Sequence, residues 1–138
     1  MDIIIDGYHM VHSKGLKPSV QLRMKVNDKY YEENASGDGQ YDSFMKALKK
    51  IYKSLDKQLP KLTDFHVSIP PGGKTDAFVE CIITWDYGKI FKTKGLDSDQ
   101  TIAAMKATEK MLNIIEKLNK TNPENANPYG NEYSAIAG

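Results

Sequence analysis

The sequence contains little cysteine and arginine and no long apolar run, and each scarcity argues against a class of protein. Cys81 is the only cysteine among 138 residues, so an intramolecular disulfide and a cysteine-rich zinc site cannot form. Arg23 is the only arginine, although arginine is the preferred side chain for forked contacts with phosphates and base edges. The first apolar run, Ile3–Ile5, ends at Asp6 and is too short for a signal-peptide core or a spanning helix. We therefore expect a cytoplasmic protein that binds neither nucleic acid nor membranes.

Length and charge indicate one ordinary globular domain. The 19 basic and 18 acidic residues are interspersed and leave a net charge of +1, which disfavours a dedicated surface for nucleic acid or lipid. A typical domain has about 100 to 150 residues. A chain of 138 residues can therefore bury a core of its own, but it leaves no room for a large barrel enzyme.

The residue types that carry catalysis or bind metals form no recognisable group. His9 and His12 differ by an odd number, so on one strand they face opposite sides, and we expect no ligand role for them or for His66. Cys81 lies in the apolar run Phe78–Ile83, where a small buried side chain is expected. We predict no catalytic residue, no bound metal and no cofactor.

Apolar periodicity in the first half predicts three strands followed by a helix. Residues alternate between apolar and polar over Val20–Val26, which indicates a half-buried strand. A strand is expected earlier at Ile3–Val11, and another after a turn at Asn27–Lys29, at Tyr30–Ala35. Apolar residues then recur at helical spacing, and Pro60 is expected to end that helix. They are Phe44, Leu48, Ile51, Leu55 and Leu59.

The second half repeats this plan. We predict a strand over Leu62–Ile69, a turn at Pro70–Gly73, a hairpin formed by Ala77–Trp85 and Lys89–Thr93, and a helix over about Asp99–Leu118. Met45-Lys46-Ala47 recurs sixty residues later as Met105-Lys106-Ala107. Either the halves arose by duplication, or two amphipathic units share a composition.

These patterns predict an α+β fold with two βββα units. The predicted domain covers residues 1–120, with one unit at about 1–60 and the other at about 61–120. From Thr121 onward the chain is rich in asparagine and proline and has no apolar periodicity. We expect residues 121–138 to be a disordered tail.

The segment Ser36–Asp42, between the third strand and the first helix, is the most informative for function. Gly37 and Gly39 let a backbone turn tightly and approach a ligand, and the start of a helix suits an anion such as a carboxylate. Asp38 and Asp42 can accept hydrogen bonds from an ammonium group. The segment can therefore receive both charges of a free amino acid. The alternative is that Asp38 is a helix N-cap and the glycines only close a turn.

Three stretches resemble the C-terminal regulatory domain of 2-isopropylmalate and citramalate synthases. Ser36-Gly37-Asp38-Gly39 with Tyr41-Asp42 matches the glycine loop and helix start of that family. Gly72–Ala77 resembles its Gly-Gly-Thr-Asp-Ala turn with one residue inserted. Lys94–Asp99 followed by Ala103–Ala107 resembles the start of its last helix. The resemblance extends over about Ile3–Leu118.

The resemblance implies an effector-binding domain of two βββα units that forms a homodimer and binds an end-product amino acid near the dimer interface. The family's enzymes condense acetyl-CoA with a 2-oxo acid in a separate metal-dependent barrel. That barrel is not in this sequence, so the resemblance implies a regulatory domain without catalysis of its own, whose partner is the catalytic domain of a parent synthase. The implied effector is leucine, or isoleucine as in citramalate synthases.

The resemblance also assigns effector-binding residues. By this resemblance, the glycine loop and the helix start bind the charged end of the effector. Four apolar residues of the second half form the pocket for the effector's side chain. Because Leu62 and Phe65 differ by an odd number, a regular strand would place them on opposite faces. The assigned residues are Gly37, Asp38, Gly39, Tyr41, Asp42, Leu62, Phe65, Ile69 and Val79.

Two departures from the family pattern bear on the choice of effector. Gln40 stands where many relatives have proline, and Tyr41 is bulkier than the small apolar residue common at that position. Leucine and isoleucine differ in the position of one methyl branch, and such a difference is worth about 1 to 3 kcal/mol in an apolar pocket. Leucine and isoleucine both remain candidates, and a nucleic-acid-binding module and a ligand-free dimerisation domain are the alternatives from other classes.

Overall fold

The computed structural model describes residues 2–69 and 78–121. The described chain has the order βββαβββα, and it divides into two compact units between Lys57 and Gln58. The first unit contains β1 (Ile3–Val11), β2 (Ser19–Val26), β3 (Lys29–Ser36) and α1 (Gln40–Ser54). The second contains β4 (Lys61–Ser68), β5 (Val79–Asp86), β6 (Ile90–Asp97) and α2 (Gln100–Thr121). The predicted α+β class and the two βββα units are confirmed.

Each unit is a three-stranded antiparallel sheet with its helix on one side. The strand orders are β1-β2-β3 and β4-β5-β6, so β2 and β5 are central. Helix α1 packs on β2 and β3, and α2 packs on β5 and β6. Successive side chains of a strand point to opposite sides, which is why the alternating pattern of β2 buries Val20, Leu22 and Met24 beneath α1. Burying each such side chain contributes about 1.5 to 3 kcal/mol.

The turn between β2 and β3 lies where the sequence predicts it. Val26 pairs with Lys29, which leaves Asn27 and Asp28 as a two-residue loop. Both loop residues have positive φ angles, 49° and 71°. This is the backbone of a tight hairpin turn that matches the twist of the flanking strands, and asparagine and aspartate tolerate it well.

Helix α1 ends earlier than its apolar periodicity predicts. The spacing extends the helix to Leu59 and Pro60, whereas the last helical residue is Ser54. Asp56 adopts a left-handed conformation with φ 54°. The N–H of Lys57 then donates to the carbonyl of Tyr52, at 2.9 Å. This geometry satisfies carbonyls of the last turn and stops the helix without a glycine.

The second unit has the same plan with a tighter helix contact. Cys81, Ile83 and Trp85 of β5 are completely buried, and the indole N–H of Trp85 donates to the Thr93 hydroxyl at 2.9 Å. On β6, Gly95 lies directly against the backbone of α2. A small residue at this position therefore determines how closely helix and sheet approach each other.

Helix α2 begins after Asp99 and extends to Thr121, three residues beyond its predicted end at Leu118. Thr121, which we assigned to the tail, is thus the last helical residue. The predicted turn at Pro70–Gly73, the Gly72–Ala77 motif and the remaining tail residues 122–138 lie outside the described residues.

Candidate functional site

The loop between β3 and α1 is closed by a carboxylate from the helix itself. Asp42 Oδ2 accepts a hydrogen bond from the backbone N–H of Asp38 at 2.9 Å and lies 3.4 Å from Lys46 Nζ. The hydrogen bond from Asp38, followed by the Lys46 cation, lowers the pKa of the Asp42 carboxyl below its usual value. Asp42 is therefore ionised at neutral pH and already has partners within the loop.

Gly37 is required by this folded-back carboxylate. A Cβ at position 37 would collide with Asp42 Oδ2 and would lie 2.9 Å from the backbone N of Ser43. Among the described glycines, Gly15 and Gly88 are the ones with positive φ angles, so Gly37 and Gly39 do not have them. A left-handed backbone is therefore not the reason for these glycines, and for Gly37 the reason is the close approach of the Asp42 carboxylate.

Gly39 is the N-cap of α1 and makes no side-chain cap. Its backbone is extended, with φ −142° and ψ 176°, and a Cβ there would meet nothing within 4 Å. The alternative that Asp38 is the N-cap is therefore wrong. The Asp38 side chain is 90% exposed, and its carboxylate lies 3.8 Å from Lys17 Nζ. Open space thus lies beside the positive end of the α1 dipole.

Ser43 holds the loop against the segment before β2. Its buried hydroxyl lies within hydrogen-bonding distance of two carbonyl oxygens, that of Gly39 at 2.7 Å and that of Pro18 at 3.0 Å. The N–H of Gly37 also donates to the Pro18 carbonyl, at 3.1 Å. These contacts keep the start of α1 in one position. Ser43 was not among the residues singled out from the sequence.

The corresponding helix start in the second unit is capped by its own side chains. Asp99 Oδ1 accepts from the backbone N–H groups of Thr101 and Ile102 at 2.8 and 3.1 Å. Asp97 Oδ2 accepts from the N–H of Asp99 at 2.9 Å, and Lys106 Nζ lies 3.0 Å from Asp97 Oδ1. A carboxylate of the chain itself therefore already occupies the N-terminal end of α2. The sequence did contain this difference, since Gly39 stands where its repeat partner is Asp99.

Leu62 and Phe65 point to the same side of the second sheet. Leu62 pairs with Trp85 and Asp64 pairs with Thr84, so Thr63 is an extra residue in a β-bulge. The bulge shifts the alternation by one residue. The expectation that Leu62 and Phe65 face opposite sides is therefore wrong. Both point to the side covered by α2, where Leu62 remains 40% exposed and Phe65 is half-buried.

Ile69 and Val79 lie next to each other at the ends of β4 and β5. Ser68 pairs with Glu80. Ile69 directly follows Ser68 in the chain, and Val79 directly precedes Glu80. Ile69 is 66% exposed and Val79 is half-buried. The four apolar candidates thus belong to the second unit but extend along the whole of β4, with Leu62 at its start and Ile69 and Val79 at its other end. Gly37, Asp38, Gly39, Tyr41 and Asp42 belong to the first unit.

Cys81, His9 and His12 are the other side chains that the sequence offered for chemistry. Burial raises the pKa of the Cys81 thiol to about 11, which keeps it protonated and unreactive at neutral pH. His9 lies on β1 opposite Gln21, and His12 follows the end of that strand. Among residues 2–69 and 78–121, no three His, Cys, Asp or Glu side chains come together to hold a metal ion. No helix in the described part is long and apolar enough to span a membrane.

Arg23 pairs with two carboxylates on the side of the first sheet away from α1. Its guanidinium lies 2.9 Å from Asp6 and 3.2 Å from Glu32. It also stacks over the Tyr30 ring, 4.2 Å from the ring centroid. The single arginine of the chain is therefore engaged within its own sheet.

The chain is thus an α+β protein of two βββα units, one with an uncapped and one with a self-capped helix start. Residues 2–116 match the family model described as the LeuA allosteric (dimerisation) domain. Because that match covers most of the chain, the chain belongs to this family. The sequence resemblance to this regulatory domain is thereby confirmed.

Curated relatives that the chain resembles are longer proteins. A 2-isopropylmalate synthase of Methanocaldococcus jannaschii is 30% identical over 104 residues, which are 75% of this chain and 18% of the relative. A putative (R)-citramalate synthase of Methanosphaerula palustris is 27% identical over 114 residues, 82% of this chain and 22% of the relative. A 2-isopropylmalate synthase of Heliobacterium modesticaldum is 24% identical over 114 residues, which are 83% of this chain and 21% of the relative. The chain thus spans about a fifth of the length of these relatives.

Proposed function

We propose that this chain is the allosteric domain of an acetyl-CoA-condensing synthase and binds leucine for feedback inhibition. The observation that carries the proposal is the uncapped start of α1 at Gly39, beside the closed loop of Gly37 and Asp42. Membership of the LeuA allosteric (dimerisation) family supports it. In this proposal the chain itself carries out no catalysis, and the transferase reaction belongs to the barrel domain of the parent enzyme.

The carboxylate of the effector binds at the start of α1 in this proposal. The first N–H groups of a helix point toward its N-terminal end, and the dipole there favours an anion. Gly39 leaves space for the carboxylate, since nothing lies within 4 Å of a Cβ placed there. The ammonium group is assigned to the carboxylates of Asp38 and Asp42, of which Asp38 is almost fully exposed. Tyr41 borders this site, with its ring 5.8 Å from that of Phe44.

The aliphatic side chain of the effector is assigned to Leu62, Phe65, Ile69 and Val79. Two observations support this assignment. Leu62 and Phe65 share one side because of the bulge at Thr63, and Leu62 and Ile69 retain exposed apolar surface. Covering a leucine-sized side chain with such residues contributes about 1.5 to 3 kcal/mol.

Inhibition requires that the effector interact differently with two states of the parent enzyme. We assign the chain to a homodimer, in which effector binding favours an arrangement that lowers catalysis in the attached barrel domain. Isoleucine is the alternative effector, because the relatives include a putative (R)-citramalate synthase as well as 2-isopropylmalate synthases.

Calorimetric titration of the 138-residue chain with leucine, isoleucine and valine tests the proposal. We expect heat of binding with leucine and weaker binding of the other two. The variant Gly39→Asp should abolish binding, because its carboxylate would cap α1 as Asp99 caps α2. His9→Asp adds the same charge on the side of the sheet away from α1 and should bind as the unmodified chain does. No heat and no thermal stabilisation with any of the three amino acids would exclude the effector role.

A ligand-free dimerisation domain is the second candidate, because the family description names dimerisation beside allostery. This function predicts a stable dimer that no amino acid stabilises or alters. Sedimentation velocity with and without leucine, together with the titration above, distinguishes the two functions.

A further inference from the structure

A cavity of about 510 Å³ lies on the first sheet, at the end where β1 and β3 stop and β2 begins. Its volume is within the range of about 300 to 1,000 Å³ that is typical of small-molecule sites. Gln21 lines it and alternates with the buried Val20 and Leu22, so the cavity opens on the side away from α1. We call it the sheet cavity. Its floor is formed by His9, Val11, Ser19, Gln21, Asn34 and Ser36.

The register of the three strands arranges this floor in two rows. The first row, across β1, β2 and β3, is His9, Gln21 and Asn34. The second row is Val11, Ser19 and Ser36. Space opens above the second row because two of its three side chains are serines. Residues two apart on a strand are separated by about 7 Å, so one small molecule can contact both rows.

The floor presents hydrogen-bonding groups that the chain itself uses little. Within residues 2–69 and 78–121, the side chains of His9, Ser19 and Ser36 make no hydrogen bond. The side-chain N–H of Gln21 donates to Glu32 over a long 3.4 Å, which leaves the amide oxygen of Gln21 as an acceptor. Serine hydroxyls donate and accept, as do the hydroxyl groups of small polar molecules. The floor therefore suits a hydroxylated ligand.

Lys50 adds a positive charge at the rim of the sheet cavity. It belongs to α1, and its ammonium reaches the edge of β3, where Nζ donates to the Asn34 carbonyl at 2.6 Å. An ammonium group has three N–H donors, so two remain for a ligand. No acidic side chain is among the described residues that line the cavity, and Glu32, further along the sheet, pairs with Arg23 at 3.2 Å. The cavity therefore favours an anion.

We propose that the sheet cavity binds a small hydroxylated anion, a molecule with a carboxylate or phosphate group and two or more hydroxyl groups. Lys50 binds the anionic group, and the two serines and Gln21 bind the hydroxyl groups. Spacing along the chain gave His9 no ligand role, whereas strand pairing sets it beside Gln21 as a further donor. None of the residues assigned to the amino-acid effector lines this cavity, so the inference does not rest on the proposed function.

Four probes test the ligand class by nuclear magnetic resonance of the full chain labelled with ¹⁵N. Tartrate and glycerol 3-phosphate carry hydroxyls with a carboxylate or a phosphate, respectively. Succinate has the carboxylates of tartrate without its hydroxyls, and threitol has hydroxyls without charge. We expect saturable shifts of the Ser19 and Ser36 amide signals with tartrate or glycerol 3-phosphate, and at least tenfold weaker binding of succinate and threitol.

The same titration identifies the anionic group and can overturn the inference. Tighter binding of tartrate assigns a carboxylate, and tighter binding of glycerol 3-phosphate assigns a phosphate. No saturable shift with either compound would overturn the proposal. Succinate or threitol binding as tightly as the better of the two would overturn it as well, because one of the two kinds of group would then be unnecessary.

A matched pair of variants tests the charge. Lys50→Met should weaken binding by about tenfold, as is typical for the loss of a charged hydrogen bond. Lys53→Met is the control, because Lys53 is exposed on the same helix and does not line the cavity. Equal weakening in both variants would show attraction to the general charge of α1 and would overturn the proposal.

A second variant fills the cavity without changing charge. Ser19→Val places a larger, β-branched side chain that a strand accommodates well, and it should also weaken binding by about tenfold. Circular dichroism verifies that the variants are folded. Folded Lys50→Met and Ser19→Val chains that bind the probe as tightly as the unmodified chain would overturn the inference. Calorimetric titration of Lys50→Met with leucine should match the unmodified chain, which keeps this site distinct from the proposed effector site.

Discussion

At the scale of single residues, three glycines have three different structural reasons. Gly95 lets the α2 backbone approach β6, Gly37 makes room for the Asp42 carboxylate, and Gly39 leaves the start of α1 open. A sequence shows all three as equal breaks in a pattern. Their roles differ because each depends on which atoms of other elements surround the missing Cβ.

The variant Gly95→Ala should destabilise the protein strongly. An added Cβ would collide with the carbonyl of Ala103 and lie 2.7 Å from the backbone N of Ala107. These are backbone atoms of a packed helix, so they cannot move aside cheaply, and we expect a loss of about 2 kcal/mol or more. Urea denaturation followed by Trp85 fluorescence measures the loss. Gly7→Ala is the control, because its nearest neighbour would be Arg23 Cβ at 3.9 Å, and equal destabilisation of both variants would contradict this account.

Cys81 should be unreactive in the folded protein. Its side chain is completely buried, and burial raises the pKa of its thiol to about 11. An unfolded thiol ionises near pH 8.5, so the free energy of unfolding should decrease as the pH rises from about 8.5 towards 11. A thiol-specific reagent at pH 8 should label the protein only after denaturant is added. Labelling of the native protein at the rate of a free thiol would show that β5 opens readily.

At the scale of elements, the two helix starts differ in whether a carboxylate of the chain itself caps the first turn. The α2 start uses Asp97 and Asp99 of its own chain. The α1 start has Gly39 at the capping position and no side-chain cap, and the Asp42 carboxylate accepts from the N–H of Asp38 in the preceding loop. Repeated units therefore share a backbone plan but have different chemistry at one end.

Acid should weaken the α2 start through Asp97. The N–H of Asp99 and the Lys106 ammonium lower the pKa of the Asp97 carboxyl in the folded state. Because the folded pKa lies below the unfolded value of about 3.9, the stabilisation is complete above that value and is lost as the pH falls through the folded pKa. Asp97→Asn should be less stable at pH 7 and should lose less stability between pH 5 and pH 2. Parallel curves for the variant and the unmodified chain in urea denaturation would contradict this.

The element boundaries show how much of the fold and site can be predicted from the sequence. Alternation in β2 and helical spacing in α1 are local consequences of backbone geometry. The type of each element and the side that faces the core were therefore predictable. The end of α1 at Asp56 and the bulge at Thr63 were not. Each depends on hydrogen bonds that compete with a continuing pattern, and neither is marked by the usual glycine. The bulge bears on the proposed effector site because it places Leu62 on the same side of the sheet as Phe65.

At the scale of the whole molecule, the effector should stabilise the native state. A ligand that binds only the folded chain adds about 2.7 kcal/mol when its concentration is 100 times its Kd. We therefore expect leucine to raise the melting temperature of the unmodified chain progressively with concentration, as measured by calorimetry. Gly39→Asp should show no such rise even though its own helix start is better capped. A rise of equal size in Gly39→Asp would place the amino acid elsewhere in the molecule.

The sequence by itself determined the α+β class, the two βββα units, the buried sides of the central strands and the resemblance to a regulatory domain. These properties follow from residue spacing, which the periods of strand and helix translate directly into structure. Only the tertiary structure decided that Gly39 rather than Asp38 is the N-cap of α1, that Gly37 accommodates a carboxylate, and that the bulge at Thr63 places Leu62 on the same side as Phe65. Those properties depend on which atoms meet across elements, and spacing along the chain does not specify that. The scarce residues follow the same rule, since Arg23 and Cys81 are single in the sequence but took their roles from their neighbours in the fold.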